Sequence, residues 1–228
     1  MKTEGGSEAA KRRAGERAAE AVEDGTVVGL GTGSTTAYAI EAIGRAVADG
    51  LAVRGIPTSY QSRQLAIEVG IPLTSLEEAD RVDLAIDGAD QVADGDLIKG
   101  GGAAHTWEKV VDSAADRFLV VADPSKLVET LERPVPVEVL PAARPVVADR
   151  IRELGGEPVL REAERKDGPV VTDNGNLVLD CAFGELDEPG ELATSLSAIP
   201  GVLEHGLFVG LADAVYVGTD GGVERRTY

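Results

Sequence analysis

Cysteine is almost absent from this 228-residue chain, where Cys181 stands alone. An intrachain disulfide is therefore impossible, and a cysteine-built zinc site is excluded. Aromatic residues are scarce too, at 4%. Hydrophobic residues make up 43% of the chain, so a core can form, but it must be built from Val, Leu, Ile and Ala. No segment approaches the length of a membrane-spanning helix. The first residues, MKTEGGSEAAKRRAGERAAE, lack the apolar stretch of a secretory signal. A cytoplasmic protein is expected.

Lysine is the next shortage. Only Lys2, Lys11, Lys99, Lys109, Lys126 and Lys166 occur, and arginine supplies the rest of 22 basic residues set against 40 acidic ones. The formal net charge of -18 argues against nucleic acid as a partner, since phosphates would be repelled over most of the surface. It argues against an anionic membrane for the same reason. An acidic, lysine-poor surface suits a cytoplasm of very high salt, where screening relieves self-repulsion. A halophilic source is expected.

What is present is an alternation of strands and helices. Residues 8–23 read as an amphipathic helix, and Thr26 to Leu30 as a short buried strand. A helix starts near Thr35, with Ile40, Ile43 and Val47 on one face, and Asp49-Gly50 closes it. Residues 52–56 read as a strand, and Ser59 caps a helix ending at Gly70. Val82 to Ile86 is a strand, Thr106 to Ala115 a helix, and Arg117 to Ala122 a strand. Such units imply a mostly parallel sheet covered on both faces.

Prolines 134, 136, 141 and 145 then cluster as in a domain connection. Beyond them come a strand (135–140), a helix from Pro145 to before Gly155-Gly156, and a strand (157–161). A hairpin is expected to turn at Asp173-Asn174-Gly175, between Val170-Val171-Thr172 and Leu177-Val178-Leu179. A helix follows from about Gly190 to Ala198. Leu207 to Leu211 and Ala214 to Gly218 read as strands returning to the first unit. The expected fold class is α/β: a Rossmann-like, mostly parallel sheet with helices on both faces, plus a smaller α+β ferredoxin-like lid. Residues 1–132 with 206–228 are assigned to the first domain, and 133–205 to the lid.

Three glycine-bearing segments end strands of the first domain, where open parallel sheets bind ligands. Gly29-Leu30-Gly31-Thr32-Gly33-Ser34-Thr35 lets the backbone approach a ligand and offers the N–H groups of a helix start. It suits a phosphate, yet the glycine spacing fails the dinucleotide pattern and no Gly-Lys-Ser/Thr phosphate loop occurs. The alternative is a tight turn capped by Ser34. Asp87-Gly88-Ala89-Asp90 places two carboxylates three residues apart on a turn. Close like charges raise one pKa, which favours proton transfer; the alternatives are a turn capped by Asp87 or a metal site, for which acidic partners are not evident nearby. Lys99-Gly100-Gly101-Gly102 orders three glycines beside a rare lysine, as a nest of N–H groups near a ligand does. Glu108, on the helix that follows, can serve as a general base if buried, or it is a solvated helix-face carboxylate.

These motifs occur in order with others: GLGTGST at 29–35, DGAD at 87–90, KGGGAA at 99–104 with a glutamate nine residues after the lysine, ADPSK at 122–126, PVEV at 136–139, VTDNGN at 171–176 and IPGVLEHGLF at 199–208. Together they resemble the ribose-5-phosphate isomerase A family over nearly the full length. The resemblance implies a cofactor-free, metal-free enzyme that interconverts ribose 5-phosphate and ribulose 5-phosphate through an enediolate, in the non-oxidative pentose phosphate pathway. By the same resemblance, Thr32, Gly33, Ser34 and Thr35 match the sugar-phosphate loop, and Lys126 reaches the phosphate. Asp87 and Asp90 flank the sugar hydroxyls, Lys99 stabilises the enediolate, and Glu108 is the base. Gly88, Ala89, Gly100, Gly101 and Gly102 line the substrate. A homodimer or homotetramer is implied.

Gln91, Trp107 and His205 depart from the family pattern at positions beside these motifs. His105 and His205 fall on no family catalytic position, and Cys181 is expected to pack as a small hydrophobe. The competing reading is a non-enzymatic sugar-phosphate sensor on a related sheet. A glucosamine-phosphate deaminase or acyl-CoA transferase would leave DGAD and KGGG unexplained, and a dinucleotide-dependent oxidoreductase fails on glycine spacing.

Overall fold

The computed structural model describes residues 7–228; the first six, assigned by sequence to the first domain, lie outside the described residues. Six short strands form the main sheet. In chain order they are β1 (Val27–Leu30), β2 (Arg54–Pro57), β3 (Leu84–Gly88), β6 (Phe118–Ala122), β12 (Ala214–Thr219) and β13 (Gly222–Thr227). The sheet order is β13-β12-β6-β3-β1-β2. All pairings are parallel except that of β12 with β13. The strands are apolar runs because both faces are covered. Val28, Leu30, Leu84, Ile86, Leu119 and Val121 point to one face, where they pack on helices α1 (Glu8–Ala19), α2 (Ser34–Ala48) and α3 (Tyr60–Glu68). Ala85, Val120, Val215 and Val217 point to the other.

That second face is shared. Helix α4 (His105–Ala114) covers part of it through Val111. A three-stranded sheet covers the rest, ordered β11-β5-β4. Its strands are β4 (Gln91–Ala93), β5 (Asp96–Ile98) and β11 (Leu207–Phe208), and Val92, Leu97 and Phe208 supply the packing.

The lid is a β-α-β-β-α-β run: β7 (Val135–Val139), α5 (Arg144–Glu153), β8 (Glu157–Leu160), β9 (Leu177–Ala182), α6 (Pro189–Ser197) and β10 (Val202–His205). Its sheet is antiparallel throughout, in the order β10-β7-β9-β8. This is the ferredoxin-like arrangement. Val135, Val137, Val139, Val147, Ile151, Leu179, Cys181 and Leu196 form its core. Pro136 lies inside β7 opposite Asp180, at a point where the β10 ladder has already ended at Val137. A proline is tolerated there because no ladder bond needs its missing N–H.

Several details differ from the sequence reading. The first helix ends at Ala19, not at residue 23, and Glu20 is its cap. The turn at Asp173-Asn174-Gly175 forms, with Gly175 N–H donating to the Thr172 carbonyl at 2.9 Å. Its first arm is no strand, however. Val171 makes one bridge to Leu177, and the true ladder partners of β9 are β8 and β7. Short strands β4, β5, β10 and the polar edge strand β13 carry too little apolar alternation to be read from sequence.

A polar knot fastens the lid to the first unit. Glu138, fully buried in the middle of β7, accepts from Thr106 Oγ1 of α4. It also accepts from Thr172 Oγ1 at 2.7 Å, Asn176 Nδ2 at 2.9 Å and Asn174 Nδ2 at 3.1 Å. Asn174 Oδ1 in turn accepts from Trp107 Nε1 at 2.7 Å, and Asp173 Oδ2 accepts from the Tyr60 N–H at 3.0 Å. Burial alone would raise the Glu138 pKa, but its hydrogen bonds outweigh burial and hold it below the usual value. A depressed carboxylate stabilises the fold fully above its unfolded pKa and loses that contribution as pH falls through the folded value. Glu138→Ala should therefore destabilise the protein by about 3 kcal/mol at neutral pH. Denaturant titrations should show that penalty shrinking below about pH 4.

Candidate active site

The site is built where β1 and β3 end side by side. Asp87 lies near the end of β3 and is wholly buried. Its Oδ1 accepts from the N–H groups of Thr32 at 2.9 Å and Gly88 at 2.6 Å. Gly31 makes room for it: a Cβ there would stand 2.0 Å from Asp87 Cγ. The glycine of the GLGTGST segment is thus required by a carboxylate of the DGAD segment. Gly33 is the N-cap of α2, in a positive-φ conformation at 123° that favours glycine. It makes no side-chain cap, so the first N–H groups of α2 remain open to an anion. The turn is therefore not capped by Ser34. The Thr32 hydroxyl is engaged behind the loop, donating to Ser59 Oγ at 2.7 Å, whereas Ser34 is exposed and Thr35 buried.

Lys99 follows β5 and is 2% exposed. Its backbone N–H donates to the Gly206 carbonyl at 2.8 Å, which locks it beside the chain returning from the lid. Its Nζ donates to the Gly88 carbonyl at 2.6 Å and pairs with Asp87 Oδ2 at 2.8 Å. Glu108 Oε2 stands 3.4 Å away and Asp112 Oδ2 3.9 Å away. The Phe208 ring lies below, its centroid 5.2 Å from Nζ. Burial works against the lysine's charge, but Asp87, Glu108 and Asp112 outweigh it and raise its pKa, so Lys99 is a fixed cation.

Glu108 sits in the first turn of α4, 4% exposed. Burial, then the Asp87 charge, pushes its pKa up to about 8, against the opposing pull of Lys99. Asp90 is held from the far side by Gly101, whose N–H donates to Oδ2 at 2.7 Å. The glycine turn itself is gripped from the lid. Arg161 Nη1 donates to the Gly100 carbonyl at 2.8 Å, while its guanidinium forks onto the Asp180 carboxylate. Lys126 ends a 3-10 turn, Pro124–Lys126, in which Asp123 Oδ1 accepts from the Ser125 N–H at 2.9 Å. Partial burial lowers its pKa, with Asp90 and Asp123 opposing.

One cleft collects these groups. Thr32, Gly33, Ser34 and Thr35 line one wall; Gly88, Ala89, Asp90 and Lys126 another; Lys99, Gly100, Gly101, Gly102 and Glu108 the floor and remaining side. Asp87 lies just beneath, behind Lys99. Every residue that the family resemblance assigned to the site lines this cleft, except Asp87, which touches it through Lys99. Thr36 joins the lining without having been foreseen. Asp112, Arg161 and Glu138 were also missed. The signal available for Asp112 was its i+4 spacing from Glu108, which puts both carboxylates on one helix face.

The departures from the family pattern have local explanations. Gln91 Oε1 accepts from the N–H groups of Glu132 and Arg133 at 3.0 and 2.9 Å, tying down the approach to the lid. Trp107 points to Asn174, and His205 lies in the lid with Nε2 3.0 Å from Ser197 Oγ. Burial lowers the pKa of both His105 and His205 to about 4; neither lines the cleft. Cys181 is buried in the lid core, and burial pushes its thiol pKa up. Among the described residues no helix is long and apolar enough to cross a membrane, and no cluster of three His, Cys, Asp or Glu side chains is placed to hold a metal ion.

The arrangement offers an anion seat at one end and, at the other, a raised-pKa carboxylate beside a fixed cation. Two outcomes follow from its packing. Gly31→Ala should lower kcat/KM by about a hundredfold by displacing Asp87, while circular dichroism still shows the folded sheet. Glu108→Gln should stabilise the fold. A raised carboxylate costs nothing below its unfolded pKa and its full penalty above the folded one, so the gain should grow between the ordinary value of 4.5 and about 8. Urea titrations at pH 5 and pH 9 should differ by about 4 kcal/mol in that gain, about 1.4 kcal/mol for each unit between pH 5 and about 8.

Comparison with known proteins follows the same lines. Residues 54–222 match the model of a family described as ribose 5-phosphate isomerase A (phosphoriboisomerase A). The ribose-5-phosphate isomerase A of Natronomonas pharaonis is 71% identical over 226 residues, covering 99% of this chain and 100% of that protein. That of Haloarcula marismortui is 68% identical, covering 98% of each. Among solved structures, ribose 5-phosphate isomerase A from Methanocaldococcus jannaschii superposes with a TM-score of 0.92 at 47% identity, covering 96% of this chain and 98% of that one. A D-ribose-5-phosphate isomerase solved in complex with phospho-erythronic acid gives 0.93 at 44% identity, covering 96% and 97%.

Proposed function

Since this chain belongs to the ribose 5-phosphate isomerase A family, we propose a division of labour among the residues of its cleft. The chain is an aldose–ketose isomerase acting on ribose 5-phosphate and ribulose 5-phosphate. The phosphate rests at the open amino end of α2, against the N–H groups and hydroxyls of the Gly33–Thr35 turn, with Lys126 closing the opposite side. Phospho-erythronic acid, bound by the related isomerase, carries a phosphate at one end and a planar carboxylate at the other. It thus resembles a sugar phosphate whose reacting end has become an anion.

Glu108, as the carboxylate, removes the proton from C2 of the open-chain aldose. The electron pair moves into the C1–C2 bond, and negative charge develops on the carbonyl oxygen. Lys99 stabilises that oxygen from a buried position, where a fixed cation acts strongly. Asp87 holds Lys99, and Asp90 faces the sugar hydroxyls during ring opening and proton movement between oxygens. Glu108 returns the proton to C1, which leaves the ketose. The transfer is internal and redox-neutral, so the residues of the cleft suffice for it. A pKa near 8 suits a base that must both take and give a proton. Binding energy from the remote phosphate positions the reacting carbons.

The carrying observation is the meeting, in one cleft, of an uncapped helix start and a buried lysine with Glu108 3.4 Å away. Residues 7–132 with 206–228 form the catalytic unit and 133–205 the lid. The chain works in the cytoplasm as a homodimer or homotetramer; the apolar side chains Leu140, Val159 and Leu203 remain exposed on the lid for such a contact.

Glu108→Gln should lower kcat by at least about a hundredfold with KM little changed, in assays of ribulose 5-phosphate formation. The wild type should turn over undiminished with a chelator present, and better in molar salt than in dilute buffer. A wild type that binds the sugar phosphate at every salt concentration and never converts it would make the chain a sensor.

A further inference from the structure

Asp112 is a fourth carboxylate of the centre with no part in the chemistry above. It lies one turn beyond Glu108 on α4, 2% exposed, and does not line the cleft. Neither of its oxygens accepts a hydrogen bond from the described residues. The charged groups facing it are Lys99 after β5, Asp87 on β3 and Glu108 on its own helix; Asp90 acts on Glu108 from across the cleft.

Three carboxylates crowd one ammonium, at 2.8, 3.4 and 3.9 Å. Were all of them ionised, the buried cluster would hold an excess of negative charge that nothing nearby balances. The donors are not shared equally. Asp87 takes two backbone N–H groups on one oxygen and Lys99 on the other, which is a seat built for an anion. Glu108 must be ionised when it acts as base. Asp112 has neither a donor nor an outlet to water.

We propose that Asp112 is a positioning residue that stays neutral and shares its proton with Asp87, so that Lys99 remains directed at Asp87, the Gly88 carbonyl and the cleft. It acts through Lys99 and Asp87 and touches no substrate. In its ionised form it would draw Lys99 toward α4 and add a charge that keeps Glu108 protonated, silencing the base by two routes. Burial, then the Asp87 charge, raises its pKa well above the ordinary aspartate value, in line with the geometry. The inference rests on the isomerase reading of the same cleft.

Sign and consequence follow. The neutral acid is the working form, so activity falls as pH rises through the Asp112 pKa. Asp112→Ala should lower kcat about tenfold or more with KM little changed. Asp112→Asn keeps a neutral donor, and should restore kcat to within about threefold of wild type while moving the alkaline limb of the kcat profile up by about a unit or more. Isotope-edited infrared spectra of carboxyl-labelled wild type, compared with Asp112→Asn, should show a carboxylic acid band at pH 7 that the variant lacks; this reading survives if the alanine variant fails to fold. An alkaline limb in Asp112→Asn that superimposes on wild type, or a carboxylate band for Asp112 at pH 7, would overturn the assignment. A wild type that does not isomerise ribose 5-phosphate would remove the isomerase reading instead, a result visible before any variant is made.

Discussion

Everything in the catalytic end of this protein is arranged around one buried ammonium. Lys99 is almost wholly buried, so its charge must be met by side chains from two elements: β3 supplies Asp87, and α4 supplies Glu108 and, beyond it, Asp112. Burying these charges is unfavourable on each alone and tolerable only together. The geometry of the centre is therefore a condition of the fold as much as of the chemistry. Gly31 is kept free of a side chain by Asp87, and β1, β3 and α4 must meet at fixed spacing for Lys99 to reach its partners.

The lid enters the same balance at second hand. Arg161 holds the Gly100 carbonyl, Gly101 holds Asp90, and Glu138 gathers Thr106 at the start of α4 together with the Thr172–Asn176 turn. Helix α4 begins where that knot ties it, and Glu108 lies in its first turn. The small domain thus sets the position of the base without contributing a reacting group. The backbone makes a second seam, in which Lys99 N–H reaches the Gly206 carbonyl and Gly206 N–H reaches the Pro136 carbonyl at 2.7 Å.

Much of this was legible in the sequence, for physical reasons that differ from residue to residue. The strand–glycine–helix texture announced a parallel sheet, because only strands covered on both faces run as unbroken Val, Ile and Leu. Two of the glycine segments pointed to one cleft because the parallel strands β1 and β3 share a ligand-binding end; the third, at Lys99–Gly102, follows the antiparallel strand β5 and reaches the same cleft from another sheet. The lid was readable from proline, glycine and Asn-Gly punctuation as far as α6, but its last strand β10 was not, and the expected hairpin arm 170–172 is no strand. Asp112 was not readable: a helix carboxylate four residues from another looks like a solvated face until Lys99, thirteen positions earlier, is seen against it. Arg161 and Glu138 were hidden for the same reason, since their partners are distant in sequence. Strand β13, GVERRT, reads as a polar tail because an edge strand needs apolar residues on neither side. The halophilic expectation came from surface charge alone, and the Natronomonas and Haloarcula relatives share the family over their full length.

The interruption of the first domain by the lid has a consequence for synthesis. Strand β12 lies between β6 and β13, yet it follows the lid in the chain. While the nascent protein emerges, β6 is an open sheet edge, and it stays so until the whole of the lid has been made. The lid is complete once β10 has been made, whereas the sheet that carries Asp87 waits for the β12–β13 hairpin. An unpaired parallel edge is an invitation to pair with a neighbour. In this protein the strands that follow the lid are the ones that withdraw it.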